Sequence, residues 1–260
     1  MAHVARFTVY PVKGLDGVAV DEATVLPGGT LDGDREYALF DANGEVMNGK
    51  RTARVHDLST DYEPETGLLT VATDGERRRF DLDAERERAA AWFSDFFGTD
   101  LRLERDGTLG HVDRRGAGPS VISTATVETV ASWFDGVDPA GMRRRLRANV
   151  EVGGVSAFWE DRFVGSDAPA FIAGGVRFEG VEPCGRCVVP TRDPDTGDPT
   201  PEFRKRFVER RRATFPEWAD ADAFDHLYTL MLIADVPEAD RGATLATGDE
   251  VRVVGRGADG

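Results

Sequence analysis

The chain has 260 residues, enough to bury a substantial core as one large domain or two moderate ones. Asp and Glu number 47 against 32 Lys and Arg, for a formal net charge of −15, which argues against the cationic face that nucleic-acid binding needs. No apolar run approaches the roughly 20 residues that span a bilayer, and the opening Met1–Tyr10 stretch alternates like a strand without the apolar core of a signal peptide.

A cytoplasmic location is therefore expected, and in a reducing compartment the two cysteines are not expected to form a structural disulfide. Lysine is nearly eliminated: only Lys13, Lys50 and Lys205 occur, so the remaining basic residues are arginine. High intracellular salt favours such a surface, because screening removes much of the self-repulsion of the acidic charge. A salt-in, halophilic habitat is the expectation. Local arginine clusters remain able to bind a small anion.

The first part of the chain reads as β-rich. Ala5–Val12 and Gly17–Leu26 are strand-like, with turn signals at Gly28-Gly29 and Asp32-Gly33-Asp34. Glu36–Phe40 is a strand that turns at Asp41–Gly44 into Glu45–Asn48. Leu68–Thr73 and Arg77–Leu82 flank Asp74-Gly75, a strong hairpin signal. Asp83–Phe97 carries Ala89, Trp92, Phe93 and Phe96 at helical spacing and stops at Gly98. Asp106–Gly118 lacks periodicity and is the candidate linker.

The second part opens with strand Ser120–Ser123 and a helix over Thr126–Phe134, capped by Ser123 or Thr124. In Arg143–Asn149 the alternation of Arg145, Arg147 and Asn149 predicts a strand entry with one basic face. Val150–Val152 continues it, Glu160–Gly165 is a turn, and Phe171–Phe178 is strand material. Pro201–Arg212 reads as a charged, solvated helix, Ala223–Ile233 as a late helical stretch and Gly248–Val254 as a closing strand. There is no internal repeat. The pattern predicts a mainly β chain with some helices (α+β) in two barrel-like parts.

Cys184-Gly185-Arg186-Cys187 holds both cysteines. Thiolate is a soft, strongly donating ligand, and the intervening guanidinium favours it. A structural zinc site would need a second ligand pair, yet His3, His56, His111 and His226 are isolated. A thioredoxin-like dithiol would open a helix, whereas Val188-Val189-Pro190 reads as a strand tail. Two readings stay open: a pair of buried inert thiols, or one cysteine ligating a metal that its cofactor mostly holds. Four basic elements recur in similar contexts, at Lys13, Arg35, Lys50-Arg51 and Arg143–Arg147, and suggest a convergent site for an anion. Trp159-Glu160-Asp161 reads as an aromatic anchor followed by solvated acids. Asp193–Gly197 is a β-turn placed to shape the cysteine pocket.

The N-terminal Tyr-Pro-Val-Lys-Gly, Gly33-Asp34-Arg35 with its Asp-Ala-Asn-Gly turn, and Lys-Arg-Thr-Ala-Arg-Val resemble the N-terminal β-barrel domain of MOSC proteins. Arg-Leu-Arg-Ala-Asn-Val, Phe-Trp-Glu-Asp, Cys-Gly-Arg-Cys and Thr-Arg-Asp-Pro-Asp-Thr-Gly resemble the MOSC domain itself, the molybdenum cofactor sulfurase C-terminal module. The likeness points towards the amidoxime-reducing component and its bacterial counterparts. It implies an N-terminal barrel domain over 1–110, a MOSC domain with peripheral helices over 111–260, and a molybdenum-molybdopterin cofactor. Cys187 matches the family's metal-ligating and catalytic thiolate, with Cys184 in reserve. Lys13, Arg35, Arg147, Asn149 and Ser123 match positions that hold the pterin and its phosphate. Gly14 departs from the serine that relatives often carry after the lysine, and Thr214–Ala243 fits the family pattern poorly.

The implied activity is reduction of N-hydroxylated or other small N-oxygenated compounds. The chain has no cysteines for an iron–sulfur extension, so a separate ferredoxin- or cytochrome-like donor is the expected partner. A second class is a cofactor or sulfur carrier bearing a persulfide on Cys187, although no pyridoxal-phosphate-binding desulfurase segment accompanies it. A third is a non-catalytic binding module in which both thiols are dispensable.

Overall fold

The computed structural model of the chain describes residues 1–114, 116 and 118–255. Arg115 and Ala117 of the linker stretch and the last five residues of the expected second domain lie outside the described residues. Strand β1 (His3–Val9) buries Val4, Phe7 and Val9, and a bulge between Val4 and Arg6 accounts for the break in its two-residue period. Then follow β2 (Val18–Val20), β3 (Glu22–Thr24), β4 (Tyr37–Asp41), β5 (Ser59–Glu63), β6 (Leu68–Thr73), β7 (Glu76–Asp81), helix α1 (Arg86–Phe97) and β8 (Leu101–Arg105). The second part adds β9 (Ser120–Ser123), α2 (Thr124–Ala131), α3 (Pro139–Leu146), β10 (Val150–Gly153), β11 (Ala170–Ala173), β12 (Val176–Gly185), α4 (Phe203–Ala213), β13 (Thr229–Asp235), β14 (Thr244–Ala246) and β15 (Val251–Val254). The protein is mainly β with some α, as its short alternating runs predict.

Eight strands form the main sheet, in the order β15-β11-β12-β13-β9-β10-β1-β2. β9 and β10 run parallel, with α2 and α3 as their crossover. Backbone bonds from Val4 to Asp249 and from Val251 to Ala2 tie the end of the chain back onto β1. The sheet thus curls back on itself towards closure. Phe7, Trp159, Phe163, Phe171 and Phe178 fill its core. A smaller unit of β4–β8 and β5-β6-β7, with α1, has a separate core around Tyr37, Leu69, Phe80 and Phe93. The Asp74-Gly75 hairpin and the left-handed Gly98 cap are where the sequence puts them. Because β1 belongs to the main sheet, the turn after it reaches the smaller unit, and the Lys13 N–H donates to the Tyr37 carbonyl at 2.8 Å.

Several local expectations are corrected. Ala223–Ile233 is not helical: Ala221–Ala223 is a single 3-10 turn, and β13 runs between β12 and β9 with Thr229–Ala234 buried. A short apolar run suits a helix or a strand buried on both faces, and its central place in the sheet selects the strand. Arg143–Leu146 form the last turn of α3, which starts from an Asp138 cap and Pro139, so no alternating basic strand face exists there. Val188–Pro190 is not a strand tail, since β12 ends at Gly185 and Val189–Thr191 is a 3-10 turn whose proline has no N–H for a ladder. Helix α4 is not simply solvated, because it buries Phe203, Phe207 and Arg211. Glu160 and Asp161 are likewise interior residues, 1% and 4% exposed.

Candidate functional site

A cavity of about 630 Å³ opens between the smaller unit and the main sheet. Lys13, Arg35, Arg147, Asn149, Cys184 and Cys187 all line it, although they come from four separate segments. Ser123 lies elsewhere. It is fully buried as the N-cap of α2, with its hydroxyl accepting from the Thr126 N–H at 3.1 Å. The serine of that strand on the cavity wall is Ser120, three residues earlier.

Backbone conformation aims the two arginines. Arg35, just before β4, and Arg147, at the C-cap of α3, have φ of 55° and 61°, left-handed values that residues other than glycine seldom adopt. Arg35 pairs with buried Asp34, which also accepts from the Tyr10 N–H. Burial works to lower the Arg35 pKa, but the Asp34 carboxylate outweighs it and the net shift is upward. Arg147 makes no ion pair among the described residues, and burial lowers its pKa. Its guanidinium stacks 4.0 Å from the Tyr10 ring centroid. Burial in turn raises the Tyr10 phenol to about 12, partly offset by the two arginines.

Asn149 is less free than its position suggests. Its Oδ1 accepts from the Ser120 N–H and hydroxyl at 3.1 and 2.9 Å, and its Nδ2 donates to the Thr8 carbonyl at 3.2 Å. The amide therefore staples β1, β9 and β10 behind the cavity wall. The rest of the arginine run is also structural. Arg143 pairs with Glu151 at 2.6 Å. Arg144 pairs with Asp195, and buried Arg145 pairs with Asp193 at 3.2 Å and donates to the Pro190 carbonyl at 3.1 Å. These bonds latch the Asp193–Gly197 turn onto α3 and bring Pro194 to the cavity wall, so the turn does help to shape the pocket. Of Lys50-Arg51, Lys50 lines the cavity while Arg51 turns to Asp41 at 2.6 Å.

The cysteines sit at an irregularity. The pairing of β12 with β13 shifts between Pro183 and Gly185, and opposite it Met231 has φ of 77°. A bulge re-aims side chains, and Cys184 and Met231 both line the cavity here. Cys184 is buried and accepts from Arg186 Nη1 at 3.1 Å, while Arg186 Nη2 donates to the Leu146 carbonyl at 2.8 Å. Cys187 is half-buried on the cavity wall, and the Tyr228 hydroxyl donates to its carbonyl at 3.2 Å. From the sequence Tyr228 reads as a core or surface residue of a late helical stretch, with no role at the cysteines. His56 reads only as an isolated histidine, yet its ring lines the cavity and its pKa is lowered by burial. No groups of three or more His, Cys, Asp or Glu arranged for a metal occur among the described residues, so this chain offers soft sulfur beside cationic side chains.

That constellation, on a curled sheet with a smaller β-rich unit, defines a mainly β protein with a cleft lined by thiols and cationic side chains. A family signature described as "MOSC N-terminal beta barrel domain" matches residues 1–87, and one described as "MOSC domain" matches 116–252. The chain belongs to the MOSC family. Among curated proteins it is 24% identical to mitochondrial amidoxime reducing component 2 of Bos taurus, over 75% of this chain and 67% of that protein. The counterpart in Macaca fascicularis is 28% identical, over 75% and 68%. A molybdenum cofactor sulfurase of Oryza sativa subsp. japonica is 23% identical over 40% of this chain but only 15% of its own length. No helix among the described residues is long and apolar enough to cross a membrane.

Proposed function

We propose that this protein is a molybdenum-cofactor-dependent oxidoreductase that reduces small N-oxygenated compounds, with electrons from a separate donor protein. The observation that carries the reading is the meeting of Cys187, Arg147, Arg35 and Lys13 on one cavity of about 630 Å³. The residues suit the group: a thiol for a soft metal, and in Arg147 a guanidinium that has no carboxylate partner among the described residues, for a phosphate. The similarity to two amidoxime reducing components adds the substrate class.

Cys187 would ligate the metal, while Arg147, Arg35 and Lys13 would hold the phosphate and pterin. When bound, the cofactor supplies two-electron reduction of a nitrogen-bound oxygen. The protein's part is orientation and field. Tyr228 fixes the Cys187 backbone, the latch from Arg144 and Arg145 fixes the opposite wall, and Tyr10 holds both arginines. Cys187→Ala from a cofactor-competent host should retain no molybdenum and turn over no N-hydroxy substrate with a chemical reductant. Full metal content and full turnover in that variant would overturn the assignment.

The similarity to a molybdenum cofactor sulfurase favours one second reading, a carrier that holds a persulfide on Cys187. Sulfane-sulfur trapping at Cys187, in protein that contains no molybdenum, would select it.

A further inference from the structure

Asp113 occupies a place that the anion-binding reading of the cleft leaves unexplained. Its carboxylate bridges the Lys13 and Lys50 ammonium groups, with Oδ1 at 2.5 Å from the first and Oδ2 at 2.7 Å from the second. All three side chains line the cavity. Lys13 follows β1, Lys50 lies in the segment after β4, and Asp113 lies in the connection between β8 and β9. The neighbouring Arg114 pairs with Glu182 of β12, so this short stretch reaches from the lysines to the cysteine-bearing strand. Bonds from His111 to the Arg35 carbonyl and from Gly118 to the Ala234 carbonyl anchor it on either side. Asp113 itself is half exposed. Burial works to raise its pKa, but hydrogen bonds from the two lysines hold it far below the usual carboxylate range.

One carboxylate on two ammonium groups leaves a net positive charge. A phosphoryl dianion would neutralise both lysines. A monoanion such as chloride brings no more charge than Asp113 already supplies, and it must also displace a tethered group. We propose that Asp113 is an internal competitor that makes the Lys13–Lys50 pair selective for dianionic phosphoryl groups, covering the lysines in the free protein and swinging out when a dianion binds. The proposal rests on the reading of this cleft as an anion site, and it adds a residue that sets which anions enter.

The test is calorimetric titration of the full chain, produced in a host that makes no molybdopterin, with inorganic phosphate at pH 8, where it is mainly dianionic. Asp113→Asn should bind phosphate about tenfold more tightly than the unsubstituted protein, equivalent to ~1.4 kcal/mol. Its binding should also become sensitive to added chloride, against which the parent protein is protected. Asp113→Ala serves as a second variant, with circular dichroism to establish that both are folded. Equal phosphate affinity and equal chloride sensitivity in all three proteins would overturn the role of Asp113 and leave the subsite standing. Phosphate binding that survives Lys13→Met with Lys50→Met would instead overturn the subsite itself.

Discussion

The guanidinium of Arg147 lies 4.0 Å from the Tyr10 ring centroid, and that of Arg35 lies 5.1 Å from the same centroid. Both arginines leave left-handed backbone positions to reach that ring. Only Arg35 carries a carboxylate with it, Asp34. Arg147 therefore has charge to offer to a ligand, and Tyr10 serves as the surface against which it is held.

Arg147→Gly should separate a binding role from a structural one. Glycine relieves a left-handed strain of about 1 kcal/mol, and loss of the stacking on Tyr10 costs about 0.5–1 kcal/mol. The two nearly cancel, so the melting temperature should move by no more than about 4 °C. Molybdopterin recovered from the purified variant should fall at least about tenfold, the effect of losing one charged contact worth ~1.4 kcal/mol. A large drop in melting temperature with cofactor retained would mean that Arg147 is structural.

Gly14→Ser should be harmful here. Gly14 has φ of 96°, and a Cβ built on it would lie 2.9 Å from both the Asn48 Cβ and the Met47 carbonyl oxygen. The substitution should cost about 1–2 kcal/mol and displace Lys13 next to it. Denaturant unfolding of Gly14→Ser beside Gly44→Ser checks this, since a Cβ at Gly44 meets nothing within 4 Å and controls for the left-handed backbone alone.

The hairpin at Asp74-Gly75, the α1 stop at Gly98 and the Ser123 cap were legible because each rests on local turn or cap chemistry. The convergence of Lys13, Arg35, Arg147 and the cysteines was legible through motif likeness, which long-range contacts had shaped. β13 was not legible, because a short apolar run does not state whether one face or two will be covered. Nor was the role of Arg145: nothing local says that its guanidinium will go to the Pro190 carbonyl and Asp193 rather than to the cavity. The buried state of Asp161 depends on Arg211, fifty residues later, and no spacing rule links them.

Arg211 is fully buried, donates to Asp161 at 2.5 Å and lies between the Phe158 and Phe215 rings at 4.6 and 5.0 Å. Among the described residues its Nε and Nη1 have no hydrogen-bond partner, so the rings stand in for them. Arg211→Met strands the Asp161 charge in the interior and should destabilise the protein by about 3–5 kcal/mol. Arg211→Met with Asp161→Leu removes both charges and should recover most of that loss. Urea titrations of the three proteins decide the matter: if the double variant is no more stable than the single one, the ion pair is not the source of the cost.

Glu160 predicts a pH dependence whose sign can be worked out. Its Oε2 accepts from the Ser123 N–H at 3.2 Å, and its Oε1 is buried. Burial first, and the Asp161 charge second, push its pKa from 4.5 up to about 7. The folded state thus holds a proton that the unfolded state has released. Glu160 favours folding fully below about pH 4.5, and that contribution declines as pH rises towards 7 and is gone above it. Glu160→Gln keeps the shape and cannot ionise. Relative to the unsubstituted protein it should gain on the order of 2 kcal/mol between pH 5 and pH 8, since each pKa unit is worth about 1.4 kcal/mol. Unfolding free energies at pH 5, 6, 7 and 8 measure that difference, and a gap between the two proteins that stays constant with pH would show that Glu160 is ionised throughout.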